Sequence, residues 1–310
     1  MSSDKQNNCG LPSNLNDRIQ DIQKKRSVAK KDTKPKNLRL PNWPEAVRSI
    51  PNPFLRSALF SVRKTKCGTI PYLEQQEIYS QKGVSIYYTG ALLSQYDLDV
   101  WQTIMHIANK RNSSEISCTG YEMIKILDKT DTSYNRNKLD SSLSRMKATG
   151  LKIKFGNYSY EGSLINDVYR DESDKRNARK PYTINLNPKL QTLFGPNQFT
   201  QIQWNIRRAL AGKPIAQWLY GYYTSHANPH PLKPETIRKL SGSNAQKIGE
   251  FKDNLLKSFQ IISNVSSKFG QTFNAEIKDD GLIYVTTHKT KTKKKFLAKH
   301  PRKILPSNYP

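Results

Sequence analysis

Two histidines four residues apart, His226 and His230, open the stretch HANPHPLKPETIRKLSGSNAQKIGEFKDNLLKSF at 226–259. On a helix that spacing puts both imidazoles on one face, where they can share a metal ion. Pro229 and Pro231 forbid a helix there, and no Cys, Asp or Glu lies between the two histidines. No metal site is therefore expected. His106, His288 and His300 form no His-x-His pair, so the metal-and-tyrosine arrangement of a nicking enzyme is not expected either, although sixteen tyrosines are available. The chain holds no G-x-x-x-x-G-K-[ST] loop for nucleotide phosphates. Acidic residues are few, without a recognisable metal pair, and no recombinase box stands out. The expectation is a protein without catalysis, metal or cofactor.

Charge carries more information. The 310 residues include 51 Lys and Arg against 25 Asp and Glu, a net charge of +26. Residues 1–36 contribute +5 and residues 288–310 contribute +8, which leaves +13 for the middle of the chain. A field of that sign attracts polyanions, and release of counterions drives the binding of nucleic acid. An anionic membrane surface is the competing partner, but no segment combines strong amphipathicity with enough basic charge. The hydrophobic fraction is 35%. No apolar run approaches the roughly 20 residues that span a bilayer. MSSDKQNNCG lacks the apolar centre of a signal peptide. Cys9, Cys67 and Cys118 are odd in number and scattered, so no disulfide framework is indicated. A soluble, reduced, cytoplasmic protein is expected, with nucleic acid and not a membrane as its partner.

The elements that must position DNA-contacting residues occur twice. VSIYYTG at 84–90 alternates like a strand. SQYDLDVWQTIMHIANK at 94–110 reads as a helix behind a Ser94–Asp97 capping box, and TGYEMIKILDK at 119–129 opens with a Thr119–Glu122 box. After the turn TDTS, the stretch 134–150 is a helix with Leu139, Leu143 and Met146 on one face. LKIKF then alternates as a strand, with a hairpin-like continuation to YTINLNP at 182–188. In the second copy, helices are predicted over 214–228, 233–242 and 243–262, with Pro214 in a first turn and Gly242 as a terminator. TFNAEIKDDGLIYVTTH at 272–288 is a strand pair around an Asp-Gly turn. Helix, short helix, turn, longer helix and β-hairpin is the order of a winged helix-turn-helix. The expected fold is α+β: two tandem winged-helix domains with flexible basic N- and C-terminal tails. The division runs as a polar tail 1–36, a proline-rich strap with a short helix 37–79, a first winged helix 80–203, a second 204–288 and a basic tail 289–310.

In such a module the third helix lies in the major groove. In the second copy Ile248, Phe251, Leu255 and Phe259 fall on the core side, while Gln246, Lys247, Glu250, Asn254 and Lys257 project outward, with Asn244 just before them. Gln and Asn can pair with adenine, Glu can accept from cytosine, and Lys can reach guanine or phosphate. The outward set of the first copy is Tyr134, Asn137, Lys138, Ser141 and Arg145. Lys152 and Lys154 in the first wing, the loop residues Arg176, Arg179 and Lys180, and Arg207 with Arg208 before the second module can follow phosphates. The competing description of every one of these is an ordinary solvated basic surface. A dimeric winged-helix transcriptional repressor fits the same physics, and a strand-nicking enzyme is a third, weaker reading.

The blocks LPNWPEAVRSIPNPFLRSALF, TGALLSQYDLDVWQTIMHIA, LSRMKATGLKI, LNPKLQTLFGPNQFTQIQW and TSHANPHPLKPETIRKLSGS resemble the TrfA family of plasmid replication initiators, in order over roughly residues 38–288. The resemblance implies binding to direct repeats (iterons) in double-stranded origin DNA through two winged-helix domains. It also implies melting of an adjacent AT-rich element, with its single-stranded DNA as a further ligand. Implied protein partners are the host initiator, the replicative helicase and the sliding clamp. Family dimers are inactive for origin binding and exchange with active monomers, the first winged helix doubling as the dimerisation module. The family's clamp-binding pentapeptide falls at Asn37, Leu38, Arg39, Leu40 and Pro41. Asn stands first and proline replaces the aromatic, leaving Leu38 and Leu40 as its apolar contacts.

Overall fold

The computed structural model describes residues 38–63, 70–170 and 181–288. The strap enters first. Strand β1 (Val47–Pro51) pairs antiparallel with β11 (Phe199–Gln203), and helix α1 (Asn52–Leu55) follows it directly. Apolar residues every three or four positions drive this segment inward: Phe54, Leu55, Leu59 and Phe60 are at most 3% exposed. Short β2 (Phe60–Ser61) then runs parallel to β5 (Leu93–Ser94).

Helix α2 (Gln95–Arg111) is the centre of the molecule. The predicted capping box is present: Ser94 Oγ accepts the Asp97 amide and the Asp97 carboxylate accepts the Ser94 amide. Asn112, in the left-handed region at φ 48°, closes the helix. Trp101 is fully buried on this helix, edge-on to Phe54 at 5.0 Å and stacked over Phe194 at 6.4 Å.

Strand β6 (Glu115–Thr119) follows, then α3 (Gly120–Ile126) behind the Thr119–Glu122 capping box, then α4 (Ser133–Lys147) with Leu139, Leu143 and Met146 fully buried. The predicted first wing is corrected here. Strand β7 (Gly150–Phe155), which carries Lys152 and Lys154, does not pair with the 182–188 region. It lies between β4 (Val84–Ala91) and β8 (Tyr158–Gly162), and β3 (Tyr72–Ile78) completes that four-stranded sheet. Leu151 and Ile153 alternate in register with Tyr88 and Ile86, so burial of this apolar face selects the pairing. The hairpin packed on the helices is β9 (Asp167–Arg170) with β10 (Pro181–Asn185), and β10 also pairs with β6.

After the 3₁₀ turn Pro188–Phe194 and β11, the second half consists of α5 (Trp204–Ala209), α6 (Pro214–Thr224), α7 (Pro234–Leu240), α8 (Ile248–Lys268), β12 (Thr272–Ile277) and β13 (Ile283–His288). Leu232, just before α7, makes a single bridge to Ile283 of β13. That bridge occupies the place β6 holds beside β10. Each half therefore contains helix, strand or bridge, helix, helix and hairpin in that order, with β7 and β8 inserted between α4 and the hairpin of the first half. The buried side chains of the two halves form one continuous core. No helix among the described residues is long and apolar enough to cross a membrane.

Candidate nucleic-acid interface

Helix α4 presents Tyr134, Asn137, Lys138 and Ser141 to solvent on the side opposite its buried leucines, Tyr134 at 72% exposure. Its start is capped by Thr132, whose hydroxyl accepts the Asn135 amide. Its middle is fastened to the hairpin by Asp140, which accepts from the Tyr182 hydroxyl at 2.8 Å and from Arg170 Nε at 3.2 Å. Lys138 Nζ sits 4.3 Å from the Tyr96 ring centroid, a cation–π contact that holds the ammonium in place. Arg145 belongs to the interior. It donates to Asp97 Oδ1 at 2.7 Å, beside the Ser142 hydroxyl on the same oxygen, with 17% of its side chain exposed. Its charge offsets the buried carboxylate that caps α2.

The second half departs from expectation at the helix start. Helix α8 begins at Ile248, not at 243, so Asn244 and Gln246 lie in the turn and Lys247 is the N-cap. Local bonding explains the delay. Gly242 adopts φ +65°, Ser243 Oγ accepts the Ala245 amide, and Arg238 Nη1 donates to the carbonyls of Ala245 and Gln246. Phe251 and Leu255 are fully buried and Phe259 nearly so. Gln246, Lys247, Glu250 and Lys257 are exposed, whereas Asn254 is half-buried.

Two further assignments are corrected. Arg207 cannot reach phosphate, because its side chain is fully buried. Its Nε lies 2.5 Å from Asp99 Oδ1, its Nη2 donates to the carbonyl and side-chain oxygens of Gln95, and Gln217 Nε2 completes the Asp99 shell at 2.8 Å. A lone buried carboxylate on α2 requires this partner. Arg208 stays at the surface, bonded to Asn205 Oδ1 and 3.9 Å from Asp128. Lys152 and Lys154 lie on the open face of the four-stranded sheet, Lys152 paired with Glu161 at 3.0 Å. Leu38 is fully buried and Leu40 is packed half-buried against the core, so neither is free to enter a partner's pocket while the strap is seated. Asn37, Arg176, Arg179, Lys180 and both tails lie outside the described residues.

Two of the histidines, His226 and His106, act as connectors. His226 directs Nδ1 to the Tyr222 carbonyl at 2.8 Å and Nε2 to the Gln81 amide at 3.0 Å, and burial pushes its pKa down to about 4. His230 is exposed. His106 accepts from Trp43 Nε1 at 3.1 Å and faces Glu45 at 3.1 Å, with burial lowering its pKa. Lys110 in turn holds the Glu45 carboxyl below its ordinary range. Among the described residues, no three His, Cys, Asp or Glu side chains gather as a metal-ligand set.

Sequence reading passed over two basic residues. A cleft of roughly 240 Å³ is lined by Arg63, Lys129, Lys138 and Arg208, with Tyr96, Trp204 and Gln217. Arg63 and Arg208 are 145 positions apart, and no linear pattern connects them.

The sequence profile of the TrfA protein family matches residues 15–269. The chain belongs to the TrfA family. The plasmid replication initiator protein TrfA of Escherichia coli is 28% identical over 215 residues, which cover 68% of this chain and 55% of that protein. The TrfA-family chain described here thus spans little more than half of that relative's length. In three dimensions it is similar to domains 2 and 3 of RctB. One such crystal structure aligns at TM-score 0.52 and 13% identity over 73% of this chain and 95% of the other. A second aligns at 0.51 and 12% over 77% and 97%. At that identity the likeness is one of fold.

Proposed function

We propose that this TrfA-family chain is a plasmid replication initiator that binds direct repeats in double-stranded origin DNA through two winged-helix units. Residues 80–203 form the first unit and 204–288 the second. The observation that carries this reading is the repeated order of helix, strand or bridge, two helices and hairpin, with an exposed polar face on the last helix each time. In a chain of net charge +26 that repetition offers two groove-reading helices on one polyanion-binding body. Tyr134, Asn137, Lys138 and Ser141 of α4 meet one part of a repeat. Gln246, Lys247, Glu250 and Lys257 meet the other, with Asn244 and Asn254 at the margin of that face. Arg208 contacts phosphate. The family relationship supports a monomer as the DNA-binding form, in exchange with a homodimer. It likewise supports melting of an adjacent AT-rich strand pair and recruitment of host initiator, helicase and clamp.

Fluorescence anisotropy on the direct repeats beside the gene, against a scrambled duplex at two salt concentrations, tests the reading. The expected result is one monomer per repeat, by mass, with specificity that survives higher salt. Two chains on an inverted repeat would favour a dimeric repressor. Equal affinity for scrambled DNA that collapses with salt would remove sequence reading altogether.

A further inference from the structure

The geometry points to the cleft beside α4 as a phosphate clamp for the DNA backbone, with Arg63 and Lys129 as contact residues alongside Lys138 and Arg208. This inference rests on the proposed binding of duplex DNA. Four cationic side chains from separate parts of the chain converge on one concavity of roughly 240 Å³. Lys138 also stands on the exposed face of α4, so a strand that meets this helix runs past the cleft mouth.

The floor of the cleft explains why an anion is accepted. Asp99 lies there and would repel phosphate if left open. Its two carboxylate oxygens are taken by Arg207 and Gln217, so the buried guanidinium neutralises the floor from beneath. Asp128 does not line the cleft but lies 3.9 Å from Arg208. Two of the cations are already held. Lys138 rests over the Tyr96 ring, and Arg208 is fixed by Asn205 while its Nε is buried without a hydrogen-bond partner among the described residues. Cations ordered before binding lose less freedom on contact. The sites are too few and too unspecific in shape to read bases, and the expected contribution is uniform across sequences.

The test is the salt dependence of duplex binding by the full chain carrying Arg63→Gln and Lys129→Gln together. Lys82→Gln, an exposed lysine elsewhere, serves as control. Loss of two phosphate contacts should lower the slope of log K against log salt by about 1.8. The ratio of repeat to scrambled affinity should stay fixed, with an unchanged melting curve. A slope equal to the unsubstituted protein's, or an equal fall in the Lys82→Gln control, would overturn the clamp. Because the slope is read on scrambled duplex as well, the clamp can fail while repeat recognition stands, and recognition can fail while the clamp stands.

Discussion

Arg207 and Arg208 are adjacent in sequence and opposite in fate, and the difference is set by a carboxylate more than a hundred positions away. Asp99 is held inside α2, and Arg207 is its counter-charge. Arg207→Met should cost on the order of 3–5 kcal/mol, because it leaves a buried carboxylate uncompensated. Urea unfolding would show the lowered midpoint, and Arg208→Met should leave that midpoint nearly unmoved. His226 gives a second prediction at this scale. Its folded pKa of about 4 lies below the ordinary value near 6.5, so the unfolded chain binds more protons between those limits. Its stabilising contribution is complete above pH 6.5 and is lost as pH falls toward 4. His226→Gln should flatten that part of a pH–stability profile measured by denaturant titration.

At the scale of elements, the two helices proposed to meet DNA make separable predictions. Lys138→Ala and Lys247→Ala should each weaken repeat binding in anisotropy titrations, whereas Gln246→Ala should relax base discrimination by about 1–3 kcal/mol per lost contact. Arg145→Ala should lower the melting temperature, with repeat affinity of the folded protein retained, since the Arg145 guanidinium is turned inward onto Asp97. The helices were legible because their signals are local. Ser94–Asp97 and Thr119–Glu122 announce starts within three residues, and Leu139, Leu143 and Met146 repeat at helical spacing. Strand partners were not legible. Nothing within LKIKF says that it will sit against 84–89 and not 182–188, because both offer alternating apolar residues and the choice is made by the whole core. The start of α8 was misplaced for another reason. Ser243 and Arg238 bond to the turn, and helical periodicity does not register such competition. Among the residues first assigned to DNA, outward position on α4 could be read from spacing, but the interior partners of Arg145 and Arg207 could not.

For the whole molecule, the strap and both halves share one set of buried side chains. Leu38 therefore holds the fold together, and Leu38→Ala should cost about 2–5 kcal/mol by leaving a cavity. Clamp capture through Leu38 and Leu40 would have to pull the strap from its seat first. Scanning calorimetry should show one transition for the described body, with calorimetric and van't Hoff enthalpies in agreement. The ion pair between α2 and α5 crosses from one half to the other, together with the Gln217 amide. A body joined in this way behaves as a ruler with two marks. If both halves meet one repeat as proposed, the body measures helical phase as well as letters. Inserting one base pair midway through a bound repeat turns one end about 35° around the duplex axis, given 10–10.5 base pairs per turn. A flexible tandem reader would follow that rotation, and this one should let go of one end.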